Sequence, residues 1–266
     1  MSDISTRFTV SVPRHGFSPR EVARAGALWR VMQDVAVDAV CDVGWTPTRF
    51  RTEGSSFVMR SMTVRHYDEV RFDEELRART WLRDFRRHTL TSREIRLVGA
   101  DREIIAATQQ WVHVDRNLRP CRAPAELASA FGVLPEGEAV ELPDYEARSG
   151  RDHGFAVEAW HTWMDPHGHV NHPRYLDLCD ESTSRAMAAA GLDPSLLRAV
   201  AEKLTFHSGA HAQERIIVES RVVGVTPDGA LVTDHELTAG GRVCVKATTL
   251  RRAGDGTDAL TRALAP

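Results

Sequence analysis

The densest run of reactive side chains in this 266-residue sequence is Trp160-His-Thr-Trp-Met-Asp165-Pro-His167-Gly-His169-Val-Asn171-His172-Pro-Arg-Tyr175. Cleaving an activated acyl group takes a carboxylate that attacks or deprotonates water, a neighbouring imidazole, and donors aimed at the developing oxyanion. Asp165, His169 and a following helix start supply all three ingredients. Pro173 suits the first helical position, with Asn171 or His172 near the cap, so the free N–H groups around Arg174 and Tyr175 would hold the carbonyl oxygen. In this reading Asp165 activates water or attacks the acyl carbon, His169 orients or exchanges the proton, and the Asn171 side chain pins the turn. The ordinary use of an Asp before a helix is a turn or N-cap hydrogen bond.

These residues need elements to carry them, and the chain supplies the same set twice. Residues 101–108 and 241–248 superpose without a gap at an offset of 140, and Leu28 to Gly44 lies over Tyr175 to Gly191 at an offset of 147. Leu28, Met32, Val35, Ala36, Ala39 and Val40 recur at helical spacing, as do Tyr175, Cys179, Thr183, Ala186, Met187 and Ala190. Each stretch ends near a Gly followed by a Pro. Strand-like segments follow each helix: Phe57–Met59, Leu76–Phe85, Thr89–Val98 and Ile104–Val114, then Leu204–Phe206, Arg215–Val225, Leu231–Thr238 and Arg242–Leu250. Turns are expected at Gly99–Asp101, Thr226–Gly229 and Gly240-Gly241. Extending the helix register upstream sets Ser18, Val22 and Arg24 where the second copy has Asp165, His169 and Asn171, so only the second copy is equipped to react.

The pattern implies an α+β fold, divided into residues 1–147 and 148–252. A linker at 122–150, with a short helix near Ala125–Phe131, ends the first half, and residues 253–266 form a flexible tail. Gln33 and Asp34 match Asp180 and Glu181 on the two long helices, and the ordinary reading of all four is a polar helix face.

Composition narrows the function. Thirty-four Lys+Arg against 37 Asp+Glu leave a net charge of −3, which disfavours a nucleic-acid binder. The opening lacks a signal-peptide core and no run of about 18 apolar residues occurs, so a cytoplasmic protein without membrane association is expected. Cys41, Cys121, Cys179 and Cys244 form no CxxC pair and read as small hydrophobes. Residues 77–122 are locally basic, with eleven Arg against five Asp+Glu. Solvated strand edges often look like this, and an acidic carrier protein or CoA phosphates would also suit it.

Asp-Pro-His-Gly-His-Val-Asn-His-Pro-Arg-Tyr resembles the D-x-N-x-H-V-N-N-x-x-Y motif of the acyl-ACP thioesterase family, and more loosely the D-x-x-G-H-V-N-x-x-x-Y motif of hotdog acyl-CoA thioesterases. Leu28-Trp-Arg-Val-Met-Gln33-Asp-Val-Ala, Thr80-Trp81 and Trp111-Val-His-Val-Asp115 agree with the first family. The resemblance implies a tandem, or double, hotdog, with two antiparallel sheets each wrapped around a long helix, an N-terminal half that shapes the acyl tunnel and a catalytic C-terminal half. It gives Asp165 and His169 the roles of the family's Asp and His, and places His167 where the family has Asn. The family's further Glu would fall near residues 208–211, where no carboxylate occurs.

The activity so implied is hydrolysis of an acyl-ACP or acyl-CoA thioester, releasing a fatty or polyketide-type acid, by a monomer or homodimer without cofactor or metal. The alternatives are a hotdog dehydratase or cyclase acting on a carrier-bound chain, and a non-catalytic acyl-binding protein. His167-x-His169-x-x-His172 also resembles the H-x-H-x-D-H metal motif of metallo-β-lactamase-like hydrolases, but Asn171 replaces its Asp ligand and no further ligand set is evident downstream.

Overall fold

In a computed structural model, residues 6–100, 102–253 and 257–265 are described. Asp101 of the expected Gly99–Asp101 turn, the opening residues 1–5, and residues 254–256 and 266 of the expected tail lie outside them. Strand β1 (Thr6–Val10) precedes helix α1 (Ala25–Asp42) and the short helix α2 (Pro47–Glu53). Strands β2 (Ser55–His66), β3 (Leu76–Arg86), β4 (Leu90–Gly99) and β5 (Arg102–Asp115) follow, then helix α3 (Ala125–Ala130). The remainder holds β6 (Glu146–Ala147), β7 (Asp152–Glu158), helix α4 (Pro173–Ala189), β8 (Arg198–Phe206), β9 (Arg215–Val225), β10 (Leu231–Ala239), β11 (Arg242–Arg252) and helix α5 (Thr257–Leu264).

The chain divides into two units, one holding residues up to Val12 with Leu28–Glu141, the other Pro13–Ala27 with residues from Leu142 onward. Pro13–Ala27, numbered with the N-terminal half in the sequence-based division, groups with the second unit, where Arg20 Nε donates to the Ser195 carbonyl at 2.7 Å.

In the first unit the strands pair antiparallel in the order β1-β3-β4-β5-β2. In the second the order is β7-β9-β10-β11-β8, with β6 also on β9. The two orders are the same once β1 is matched with β7 and β2 with β8, and each long helix lies between the first and second strands of its set. The helices stop as the sequence requires, at Gly44 (φ 82°) and Gly191 (φ 74°), because a left-handed residue there costs glycine nothing sterically.

Helix α4 buries Tyr175, Leu176, Cys179, Ser182, Thr183 and Met187 and packs on β7, β9 and β11. Two polar devices fasten it. Ser182 Oγ meets Ser220 Oγ at 2.8 Å, Ser220 Oγ meets His235 Nδ1 at 2.7 Å, and His235 Nε2 meets Thr249 Oγ1 at 2.8 Å. Arg251, 2% exposed, pairs with Asp180 at 2.8 Å and with the fully buried Glu202 at 2.7 Å.

Asp180 is therefore the helix's link to β8 and β11 and not part of a solvated polar face. Glu181 does face solvent and pairs with Arg185. On α1, Gln33 is half-buried and Asp34 exposed.

Residues 257–264 also depart from expectation. They form α5, whose Leu260 and Leu264 are buried with Met187, Val222 and Leu231, while the Leu264 carbonyl accepts from Arg151 N–H at 2.9 Å. The pair of leucines four apart gives that segment the apolar stripe that anchors a helix.

Burial, reinforced by the charges of His153 and Arg251, pushes the His235 imidazole from 6.5 down to about 3. The unfolded chain then binds a proton that the folded chain refuses at pH values between these two limits. Stability from this residue is complete above about pH 6.5 and is lost as pH falls, by about 1.4 kcal/mol per unit. Urea unfolding should show the parent losing about 2 kcal/mol more than His235→Gln between pH 7 and 5; equal losses would show that His235 is not the coupled group.

Candidate active site

The segment 160–175 folds into a short hairpin that enters α4. Asp165 N–H donates to the His169 carbonyl at 2.8 Å and Gly168 N–H to the Asp165 carbonyl at 3.0 Å, with Met164 and Val170 bridged beyond them. Pro166 presets the backbone of the turn and Gly168, at φ 79°, takes the left-handed position that closes it. This closure brings the side chains of Asp165 and His169 together.

His169 Nδ1 stands 3.4 Å from Asp165 Oδ2, with the two side chains only 21% and 16% exposed. His167 N–H donates to Asp165 Oδ1 at 2.8 Å, and the His167 and His169 rings stack at 5.7 Å. Burial alone would raise the Asp165 carboxyl. The His169 hydrogen bond and charge, the His167 N–H and the His167 charge outweigh it and hold the group below its usual range. A carboxylate kept charged, half-enclosed and beside imidazole suits proton abstraction from water or direct attack.

The first copy contains the same hairpin. Ser18 N–H donates to the Val22 carbonyl at 2.8 Å, Glu21 N–H to the Ser18 carbonyl at 2.9 Å, and Arg20 N–H to Ser18 Oγ at 3.3 Å. Each bond has its partner 147 residues later, so Ser18 and Val22 stand where Asp165 and His169 do. A hydroxyl and an isopropyl group leave that copy without the acid–base pair.

Two details of the sequence reading change. Arg174 N–H donates to the Asn171 carbonyl at 2.9 Å and Tyr175 N–H to the His172 carbonyl at 3.3 Å, so the N–H groups expected to hold a carbonyl oxygen are engaged in the turn itself. Asn171 pins the turn through its main chain, donating to the Trp163 carbonyl at 2.9 Å, while its side-chain Oδ1 is buried without a partner. His172 stands at the N-cap position of α4 without a side-chain capping bond, and among the described residues no group of three or more His, Cys, Asp or Glu is arranged to hold a metal ion.

The stretch 207–214 is a second wall that the sequence reading left without a role. Val170 N–H donates to the Ala210 carbonyl and Ala210 N–H to the Tyr175 hydroxyl, both at 2.9 Å. His207 is exposed. Gly209 lies flat against His169: a Cβ at 209 would meet His169 Cβ at 2.5 Å and Cγ at 2.6 Å. That contact explains why no side chain, acidic or otherwise, stands at this position. A carboxylate does lie nearby, Glu214, but it accepts from His211 N–H at 2.9 Å and pairs with Arg242 at 2.9 Å. A residue in the middle of a polar loop, reaching back three positions, gives little signal in sequence.

Of the basic stretch, Arg83 turns inward toward the buried Glu94 at 3.5 Å. Arg87, Arg116, Arg119 and Arg122 are exposed. The β3–β4 tip and the turn after β5 are brought together by Ala123 N–H donating to the His88 carbonyl at 2.7 Å, and Arg122 lies 3.4 Å from the His88 ring.

Among known proteins, residues 5–131 match the acyl-ACP thioesterase N-terminal domain and residues 167–246 the thioesterase superfamily. No curated protein sequence matches the chain significantly. Solved structures with the same fold include a putative oleoyl thioesterase from Lactobacillus plantarum, with TM-score 0.80 and 13% identity over 94% of this chain and 96% of that one. An acyl-ACP thioesterase from Bacteroides thetaiotaomicron gives 0.74 and 12%, over 94% and 98%. The 12:0-ACP thioesterase from Umbellularia californica gives 0.72 and 16%, over 94% of each. Identities this low speak for the fold, and the family matches speak for the chemistry.

Together they define a hotdog-fold thioesterase, an enzyme that hydrolyses acyl thioesters. Within that class the first half of the chain is matched by the acyl-ACP thioesterase N-terminal domain.

The Gly209 contact makes a sharp prediction. Gly209→Ala must push the His169 ring off Asp165, so kcat for thioester hydrolysis should fall about 10- to 100-fold, with near-unchanged circular dichroism. Full activity in a folded Gly209→Ala protein would show that the ring's place does not matter.

Proposed function

We propose that the chain is a double hotdog that releases a fatty or polyketide-type acid from acyl carrier protein, with Asp165 and His169 performing the hydrolysis. The observation that carries the assignment is the Asp165–His169 pair, enclosed and 3.4 Å apart on a glycine-closed hairpin. The repeated strand order and the repeated hairpin support the tandem arrangement.

In this mechanism Asp165 takes a proton from water as the water oxygen bonds to the thioester carbon. His169 holds the carboxylate's second oxygen and accepts or returns that proton. The tetrahedral adduct expels the carrier sulfur, which leaves as thiol with the proton, and the acyl group departs as the free acid. His167 contributes its main-chain N–H to Asp165 and stacks its ring on His169, which an amide side chain would not do. Asn171 keeps the hairpin joined to the start of α4.

For the carrier, the exposed Arg87, Arg116, Arg119 and Arg122 at one end of the first unit's sheet favour an acidic protein partner, since guanidinium groups pair well with carboxylates. CoA thioesters share the reacting group and would be poorer substrates.

Two measurements test these statements. Asp165→Asn should lose thiol release by at least about 100-fold while still binding the acyl chain; parental activity would remove the carboxylate from the mechanism. KM for a carrier-bound thioester should rise steeply with salt while that for a short pantetheine thioester stays level, and equal salt response would count against carrier docking through charge.

A further inference from the structure

The face of the first unit's sheet that looks toward α1 holds a guanidinium with no role in the reaction as described. Arg93 on β4 stands directly opposite Gln109 on β5, so the two share a face, and Gln109 Nε2 donates to the Met32 carbonyl of α1 at 3.4 Å. Leu82 and Thr80 of β3, and Ile95 two positions along β4, lie on the same face. Arg93 is only 6% exposed there. Its Nη1 donates to the Thr80 hydroxyl at 3.1 Å, while Nε and Nη2 have no partner among the described residues.

Among the described residues no carboxylate pairs with this group. Ser92 and Glu94 flank Arg93 and point to the other side of the sheet, where Thr108 and Arg96 hold Glu94 and Asp84 accepts from Ser92. Burial with nothing to offset it pulls the Arg93 guanidinium from 12.5 down to about 10. The second unit shows how this chain seals an interior arginine: burial works against the charge of Arg251 too, but Asp180 and Glu202 outweigh it and raise that group. A buried charge left unpaired is costly, so its retention calls for a partner from outside.

The vacant edge of Arg93 says which partner. Nε and Nη2 lie on one side of the planar guanidinium, the side that can take both oxygens of a carboxylate at once. The neighbours Leu82 and Ile95 are apolar and buried, so the rest of the partner must be apolar as well. Helix α1 leaves room for it: no strand of the first unit approaches α1 as closely as β7, β9 and β11 approach α4.

We propose that the Nε–Nη2 edge of Arg93 is a binding site for a carboxylate carried on an apolar chain. In thioester hydrolysis that carboxylate has two sources, the far end of a dicarboxylic acyl group or the free acid that the reaction releases. Binding at Arg93 does not depend on Asp165; its use during hydrolysis rests on the function proposed above.

Titration calorimetry of the whole chain with octanoate and octanol tests the site. The parent should bind octanoate at least about 10-fold more tightly than octanol. Arg93→Met keeps the bulk without the charge and should lose about 10- to 100-fold for octanoate, with octanol within about twofold. A purely structural role would not separate the two ligands. No preference in the parent, or the same preference in Arg93→Met, overturns the proposal. If Arg93→Met fails to fold, Arg93→Gln carries the same test.

Thiol release separates the sources. A ratio of kcat/KM for decanedioyl-CoA over decanoyl-CoA that falls about 10-fold in Arg93→Met assigns the site to the substrate. A decanoate inhibition constant that rises about 10-fold with that ratio level assigns it to the product. No change in either overturns the proposal. Asp165→Asn should bind octanoate as the parent does. An active Asp165→Asn removes the hydrolytic site and leaves the Arg93 binding to stand, whereas an inactive one beside an Arg93→Met with parental binding removes only the present proposal.

Discussion

The main-chain bond from Asp165 N–H to the His169 carbonyl is the constraint on which the proposed chemistry depends. It closes a hairpin too short to place its first and last side chains anywhere but beside each other. A carboxylate and an imidazole at those two places are then paired by geometry before any substrate arrives, and the low exposure of both makes their interaction stronger than it would be in water. The supporting contacts act on the same few atoms. Gly209 presses on the ring of His169, Tyr175 and Val170 hold Ala210, and Asn171 fastens the hairpin's foot to Trp163.

The helix that receives the hairpin is itself held by polar groups in the interior of the second unit. The Ser182–Ser220–His235–Thr249 chain joins α4 to three strands, and Arg251 joins it to β8 through Asp180 and Glu202. Such groups are costly to bury and costlier to leave half-paired, about 3–5 kcal/mol for breaking one side of a buried ion pair. They also fix register: only one placement of α4 on the sheet satisfies them all.

Much of this was legible in the sequence. β9 runs from Arg215 to Val225 as its alternation implies, and α4 starts at Pro173 because proline fits a first helical turn. β8 begins at Arg198, ahead of the apolar Leu204–Phe206 segment, because Glu202 and Lys203 interrupt the apolar pattern and the buried Glu202 is paired with the distant Arg251. β7 carries little strand signal because Gly154 breaks its alternation; a Cβ there would sit 2.2 Å from the Val218 carbonyl oxygen, a close approach of two strands that sequence does not announce. Within the site, Asp165 and His169 stand out in the sequence as a carboxylate and an imidazole in one short segment, and their pairing at 3.4 Å comes from the hairpin. The engagement of the Arg174 and Tyr175 N–H groups, and the contacts of Gly209 and His211, depend on main-chain atoms that carry no residue-type signal.

The counterpart of Gly168 in the first hairpin is Glu21, held at φ 58°. A residue with a side chain bears about 1–2 kcal/mol to occupy that region, and here it does so with no acid–base pair to serve. The loop's shape is therefore a demand of the architecture and not of the proposed reaction. The proposed hydrolysis is a lodger in a bend that the scaffold makes in both copies, and new chemistry could be installed in the first copy by changing side chains without redrawing the backbone.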